Sequence, residues 1–161
     1  MIDNNRSLDL LDIAILGVPK AGTSSVFSAL ADHPEVIGTK PKETFFFLDD
    51  SHPLCGNSGY SLLKDGEGAF QCFFTHETKQ KLRLEATTHN LYSLTAQRHF
   101  QRTHDTKFIV MLREPASRIY SLFSYVRDQQ CNLNKNIDFN TYVEHLLANN
   151  MDSLQNYLTV D

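Results

Sequence analysis

"LDIAILGVPKAGTSSVFSALADH", Leu11 to His33, is the stretch whose reading decides the fold. Leu11 to Val18 is short, mostly apolar and stops at a loop, as a strand buried on both faces of a parallel sheet does. The loop that follows, "GVPKAGTSS" from Gly17 to Ser25, carries two glycines, a lysine between them and three consecutive hydroxyl residues. From Thr23 the apolar residues take a helical period. Thr23 or Ser24 is placed to cap this helix, Val26, Phe27 and Leu30 form its inward stripe, and Pro34 ends it. A strand, a glycine loop and a helix in that order are what a phosphate-binding loop requires.

Outward from this unit the pattern repeats. "EVIG", ending at Gly38, reads as a second strand, and the lysine-rich turn "TKPKETFFF" follows it. Leu48 to Gly68 holds most of the Gly, Pro, Ser and Asp and is expected to be irregular. "AFQCFF" reads as helix and "KLRLEATT" as strand, while "KFIVMLRE", Lys107 to Glu114, is the clearest strand of all. Pro115 opens a helix with Ile119, Leu122, Phe123 and Val126 on one face, and Asp138 caps a last amphipathic helix, "FNTYVEHLLANN". Alternating strands and helices predict an α/β fold, a P-loop-like parallel sheet flanked by helices and joined by right-handed crossovers. The length of 161 residues suits one domain over 1–161. Ligands of such sheets gather at the carboxyl ends of the strands, where "GVPKAGTSS" and "REPASR" both fall.

Composition narrows the function. A net charge of −4 argues against a general nucleic-acid surface and leaves room for a local basic pocket. Cys55, Cys72 and Cys131 form an odd set without C-x-x-C spacing, which suits reduced thiols. The N-terminal stretch has acids and no basic n-region, so no signal peptide is expected, and no stretch approaches the roughly 20 apolar residues of a membrane span. The expected compartment is the cytoplasm. The histidines are scattered without an H-x-x-x-H pair, so no metal site is expected.

The loop departs from a Walker A sequence, in which lysine follows the second glycine. Here Thr23 holds that position and Lys20 sits inside the loop. Backbone N–H groups of the loop and the helix start form an anion cradle, Gly22 permits close approach, and Thr23, Ser24 and Ser25 add hydroxyl donors. Lys20 would project toward a group bridging away from the first phosphate, the position for neutralising a leaving oxygen. A plain βα-turn with a solvated lysine fits this loop as well. Arg113 at a strand end and Ser121, about two helical turns further on, can pinch a second phosphate. Pairing of Arg113 with Glu114, with Ser121 facing solvent, is the competing reading.

Taken together the segments resemble a known family. "GVPKAGTSS" looks like the 5′-phosphosulfate loop, and "FIVMLREPASRIYSLFSY" like the 3′-phosphate motif, of sulfotransferases that use 3′-phosphoadenosine 5′-phosphosulfate (PAPS). "KPKETFFF" is similar to the K-E-x-x-F-F segment, and "LEATTHNLY" to the E-x-T/S-x-x-Y stretch, of the carbohydrate branch of heparan sulfate type. The resemblance implies that Lys20 stabilises the bridging oxygen and that Lys20, Ala21, Gly22, Thr23, Ser24 and Ser25 hold the 5′-phosphate. It implies that Arg113 and Ser121 hold the 3′-phosphate, that Glu43 is the general base, and that no metal takes part. A carboxylate beside Phe45, Phe46 and Phe47 would be favoured as a base by desolvation, with Lys40 and Lys42 opposing that effect. Lys40, Lys42 and His89 are expected on the acceptor side, the acceptor being a carbohydrate or another hydroxyl or amine. Of the aromatic run, at least two residues are expected in the core.

The departures from the family are "GTSS" in place of G-T-T, the missing proline in "EATTHNLY", and the end of the chain. The family domain runs further, into a glycine- and basic-rich loop that nothing after Asp138 resembles, so the chain is expected to be the N-terminal part of such a domain. Two other readings stand beside this one: a P-loop nucleotide kinase or NTPase, and a non-catalytic binding protein on a shortened sulfotransferase scaffold.

Overall fold

Four short strands make one all-parallel sheet: β1 (Ile13–Ile15), β2 (Val36–Gly38), β3 (Leu82–Glu85) and β4 (Lys107–Ile109), in the order β2-β3-β1-β4. The computed structural model describes residues 10–74, 82–130, 133 and 135–148. Contacts group the chain into two units, Met1–Leu112 and Arg113–Asp161.

In the first unit the register puts Ile13 opposite Leu84 on one side and Lys107 on the other. From β1 the chain passes through helix α1 (Thr23–Ala31) to β2, returns beside β1 as β3, and then crosses to the far side as β4. The carboxyl end of β1 is thus the switch point at which crossovers diverge, the place where open α/β sheets bind ligands. The two faces of β1 feed two cores, as strand alternation requires. Ile15 packs with Val36, Leu84 and Ala86 under Val26, Phe27 and Leu30 of α1, while Ala14 packs with Leu10, Leu11, Phe46, Phe47, Phe70, Phe73 and Phe74.

Several sequence expectations change in detail. The cap of α1 is Gly22, at φ 90°, with no side-chain hydrogen bond, so neither Thr23 nor Ser24 caps it. The helix ends at Ala31, before Pro34. "AFQCFF" falls in a run of 3₁₀ turns over Glu67–Phe73, and the region before it holds one four-residue helix, α2 (Leu62–Asp65). A further helix, α3 (Leu94–Phe100), was not expected; Ser93 caps it by accepting from the Ala96 N–H. Regular β4 is only Lys107–Ile109, although Met111 still exchanges backbone hydrogen bonds with Gly17 and Val18 (3.1 and 2.9 Å).

The second unit contains α4 (Pro115–Asp128) and α5 (Phe139–Leu147), packed through Phe123, Leu133, Ile137 and Tyr142 with Ile119 and Val126 against them. Pro115 stands in the first turn as expected, behind a Glu114 cap whose carboxylate accepts from the N–H groups of Ala116 and Ser117. Asp138 caps α5 through the Thr141 N–H. Asn149, Asn150 and Cys131 lie outside the described residues. Among the described residues no helix is long and apolar enough to cross a membrane.

Candidate active site

The loop after β1 is built tightly at its start and open at its end. Gly17 has φ 29°, and a Cβ there would lie 2.2 Å from the Thr88 carbonyl oxygen, so the loop backbone rests directly on the segment after β3. Val18 to Ala21 then closes a turn through the Ala21 N–H and the Val18 carbonyl, with Lys20 at φ 67°. A β-unbranched residue in the left-handed region is uncommon and marks a loop held by its surroundings. Gly22 continues in the same region and starts α1 without a side-chain cap or an acidic residue in the first turn. The first N–H groups of a helix have no partner within it, and here no cap side chain takes one up.

Of the three hydroxyl residues, Ser24 and Ser25 are exposed and Thr23 is buried. The Thr23 hydroxyl accepts from Lys42 Nζ at 3.3 Å, and the same ammonium meets Glu43 Oε1 at 2.9 Å. The other oxygen of Glu43 accepts from the Thr88 hydroxyl at 3.4 Å. Three segments far apart in sequence, the loop, "KPKETFFF" and "EATTHNLY", therefore meet around one carboxylate. Lys42, expected on the acceptor side, lies between the helix start and Glu43. Lys40 is exposed, and its backbone N–H is tied to the Phe73 carbonyl.

The Glu43 side chain keeps 30% of its exposure. Phe46 and Phe47 turn fully into the core, and Phe45, half-buried at φ 53°, donates its N–H to Thr87. The reason is a neighbour that sequence reading missed. Glu85, at the end of β3, is completely buried and gathers donors from Thr44, Thr87 and Asn90, which pins the turn after Glu43 to the turn after β3. An acid at the inward end of a short strand, directly before "ATT", was the available signal. His89 was expected near the acceptor. Its Nδ1 lies 3.2 Å from Nε2 of His52, and burial, then His52, hold its imidazole below the usual histidine range, with Glu43 opposing.

Residues 10–157 match the family described as "Sulfotransferase domain". The chain belongs to this family. Comparison with curated proteins gave no match. Among solved structures, a sulfotransferase from Alicyclobacillus acidocaldarius is 22% identical with a TM-score of 0.66. That likeness covers 92% of this chain and 60% of the other, and shows that the fold is the sulfotransferase fold. The chain thus spans less than two thirds of that sulfotransferase's length.

The remaining residues of the sequence motif lie in the second unit of the sulfotransferase-fold chain. Arg113 is exposed just before α4, and Ser121 is half-buried on the second turn of that helix. Glu114 is engaged with the helix start, where the N–H and hydroxyl of Ser117, then the N–H of Ala116, hold its carboxyl below the usual range. Among the described residues no group of three or more His, Cys, Asp or Glu is gathered as a metal site would need.

Proposed function

We propose that this chain transfers a sulfuryl group from PAPS to a hydroxyl or amine, with a carbohydrate-like acceptor favoured by the K-E-x-x-F-F resemblance. The observation that carries the reading is the short chain of contacts Thr23–Lys42–Glu43, 3.3 and 2.9 Å, which sets a solvent-reachable carboxylate beside an uncapped helix start. An anion cradle and a proton acceptor in one place are what in-line transfer of a charged group needs.

In this reading the loop N–H groups and the hydroxyls from Gly22 to Ser25 hold the 5′-phosphate. Glu43 takes the proton of the acceptor as its oxygen or nitrogen bonds to sulfur. The bond from sulfur to the bridging oxygen breaks, and Lys20 neutralises the charge that develops there. Lys42 positions Glu43 and reports on the occupied cradle through Thr23. Arg113 and Ser121 are assigned the 3′-phosphate on sequence grounds, the guanidinium by its fork and the serine by its hydroxyl. Free Cys55 and Cys72 suit a reducing compartment, and we read it as the cytoplasm.

The test is release of 3′-phosphoadenosine 5′-phosphate from PAPS in the presence of sugar alcohols and amines. Lys20→Ala should lower kcat by about 10²–10³-fold, the cost of losing one stabiliser of transition-state charge. Glu43→Gln should lower it by roughly 10²–10⁴-fold while the bisphosphate still binds. Equal turnover by wild type and both variants would contradict these roles.

A further inference from the structure

Glu85 is the most completely enclosed charged residue described in the chain, at 0% exposure, and its hydrogen-bond partners are the neutral Thr44, Thr87 and Asn90. Its Oε1 accepts from the Thr87 N–H (2.9 Å), the Thr44 hydroxyl (3.0 Å), the Thr44 N–H (3.4 Å) and, at closer range, the Thr87 hydroxyl. Its Oε2 accepts from Asn90 Nδ2 at 3.1 Å. The hydroxyl protons are accounted for. Thr87 Oγ1 accepts from the Phe45 N–H and Thr44 Oγ1 from the Phe46 N–H, so each turns its own proton toward Glu85. The carboxyl group thus accepts at both oxygens. Burial holds its carboxyl above the usual range, with the Thr87 and Thr44 donors opposing.

The placement of these donors matters more than their number. Thr44 follows Glu43, and Thr87 precedes Thr88, the residue whose hydroxyl meets Glu43 Oε2. Thr88 also supplies the carbonyl on which Gly17 rests. Glu85 therefore holds the backbone on both sides of Glu43's contacts. We propose that Glu85 is a positioning residue: it fixes Glu43 in the geometry for proton abstraction by clamping Thr44 to Thr87. This rests on the reading of Glu43 as the general base.

Glu85→Gln keeps the shape and replaces one acceptor oxygen by an NH₂ group, so at least one donor loses its partner. Thr87→Val removes one donor and Thr87→Ser restores it, which gives a second route should Glu85→Gln fold poorly. Three measurements on the full chain separate the outcomes: amide hydrogen exchange, binding of 3′-phosphoadenosine 5′-phosphate, and PAPS turnover. In Glu85→Gln and Thr87→Val, exchange at Thr44, Phe45 and Thr87 should accelerate and kcat should fall roughly ten- to hundredfold, as for a misplaced catalytic group. Bisphosphate affinity should change by less than about threefold, and Thr87→Ser should recover most of kcat. Unchanged exchange at Thr44 and Thr87 in a folded variant overturns the clamp whatever the turnover. Loss of affinity in parallel with kcat overturns its focus on Glu43. If wild type turns over no PAPS while the exchange effect is present, the clamp stands and the sulfotransfer reading fails.

Discussion

At Gly17 the absence of a side chain is a matter of contact as well as conformation. A Cβ would stand 2.2 Å from the Thr88 carbonyl, a backbone atom that cannot swing aside, and φ is already positive. Gly17→Ala should therefore destabilise the fold by about 1–3 kcal/mol, the usual penalty for overpacking a tight site. Thermal melts of wild type and variant check this, and an unchanged Tm would mean the loop can lift from Thr88. The glycine spacing of Gly17 and Gly22 was legible in the sequence because a tight loop leaves a local signature. The partner of Lys42 was not: Thr23 lies 19 residues away, and no local pattern encodes which way a long side chain turns. Glu43 was legible as a candidate, and so was the fate of most of the aromatic run beside it. Two of the three rings are used to fill the core around Phe70 and Phe73.

At the scale of elements, the parallel strands and α1 could be read from their apolar patterns, and α4 and α5 because apolar period and helix-start residues coincide. The element missed was α3, whose start depends on tertiary contacts. Ser93 Oγ donates to the Phe47 carbonyl at 2.8 Å while accepting from the Ala96 N–H, and Asp49 accepts from the N–H groups of Leu94 and Thr95. The Thr95 hydroxyl, ahead of these backbone donors, holds the Asp49 carboxyl below its ordinary value. The cap thus fastens the aromatic segment that follows Glu43. Ser93→Ala should cost about 1–2 kcal/mol, a buried cap and one further hydrogen bond, read as a lowered midpoint in urea with an unchanged slope. A midpoint equal to wild type would show that Asp49 alone suffices.

For the whole molecule, acid should act through His89, packed against His52. Because the folded state holds the His89 imidazole below its ordinary value, the unfolded chain binds more protons near neutrality. The stability that the neutral ring contributes is complete above the unfolded value of about 6.5 and is lost as pH falls through the folded one. Melts from pH 8 to about pH 5 should show wild type losing more stability than His89→Gln over this window. Parallel profiles would remove His89 from acid sensitivity. The sheet order puts the carboxyl end of β1 at the switch point, and this was foreseeable in kind from strand and helix alternation, though the order itself depends on pairing between distant segments.

In the proposed reading the ligand is a sulfuryl donor, held as an anion at the start of α1, where the cap leaves the first N–H groups without a side-chain partner. The most direct measurement is calorimetric titration with 3′-phosphoadenosine 5′-phosphate beside magnesium-ATP, on wild type and Arg113→Ala. Selective binding of the bisphosphate is expected, weakened in the variant by roughly ten- to hundredfold, since a charged hydrogen-bond partner contributes about 1.5–3 kcal/mol. Preference for magnesium-ATP, or binding of neither ligand by the folded protein, would contradict a PAPS-dependent transfer.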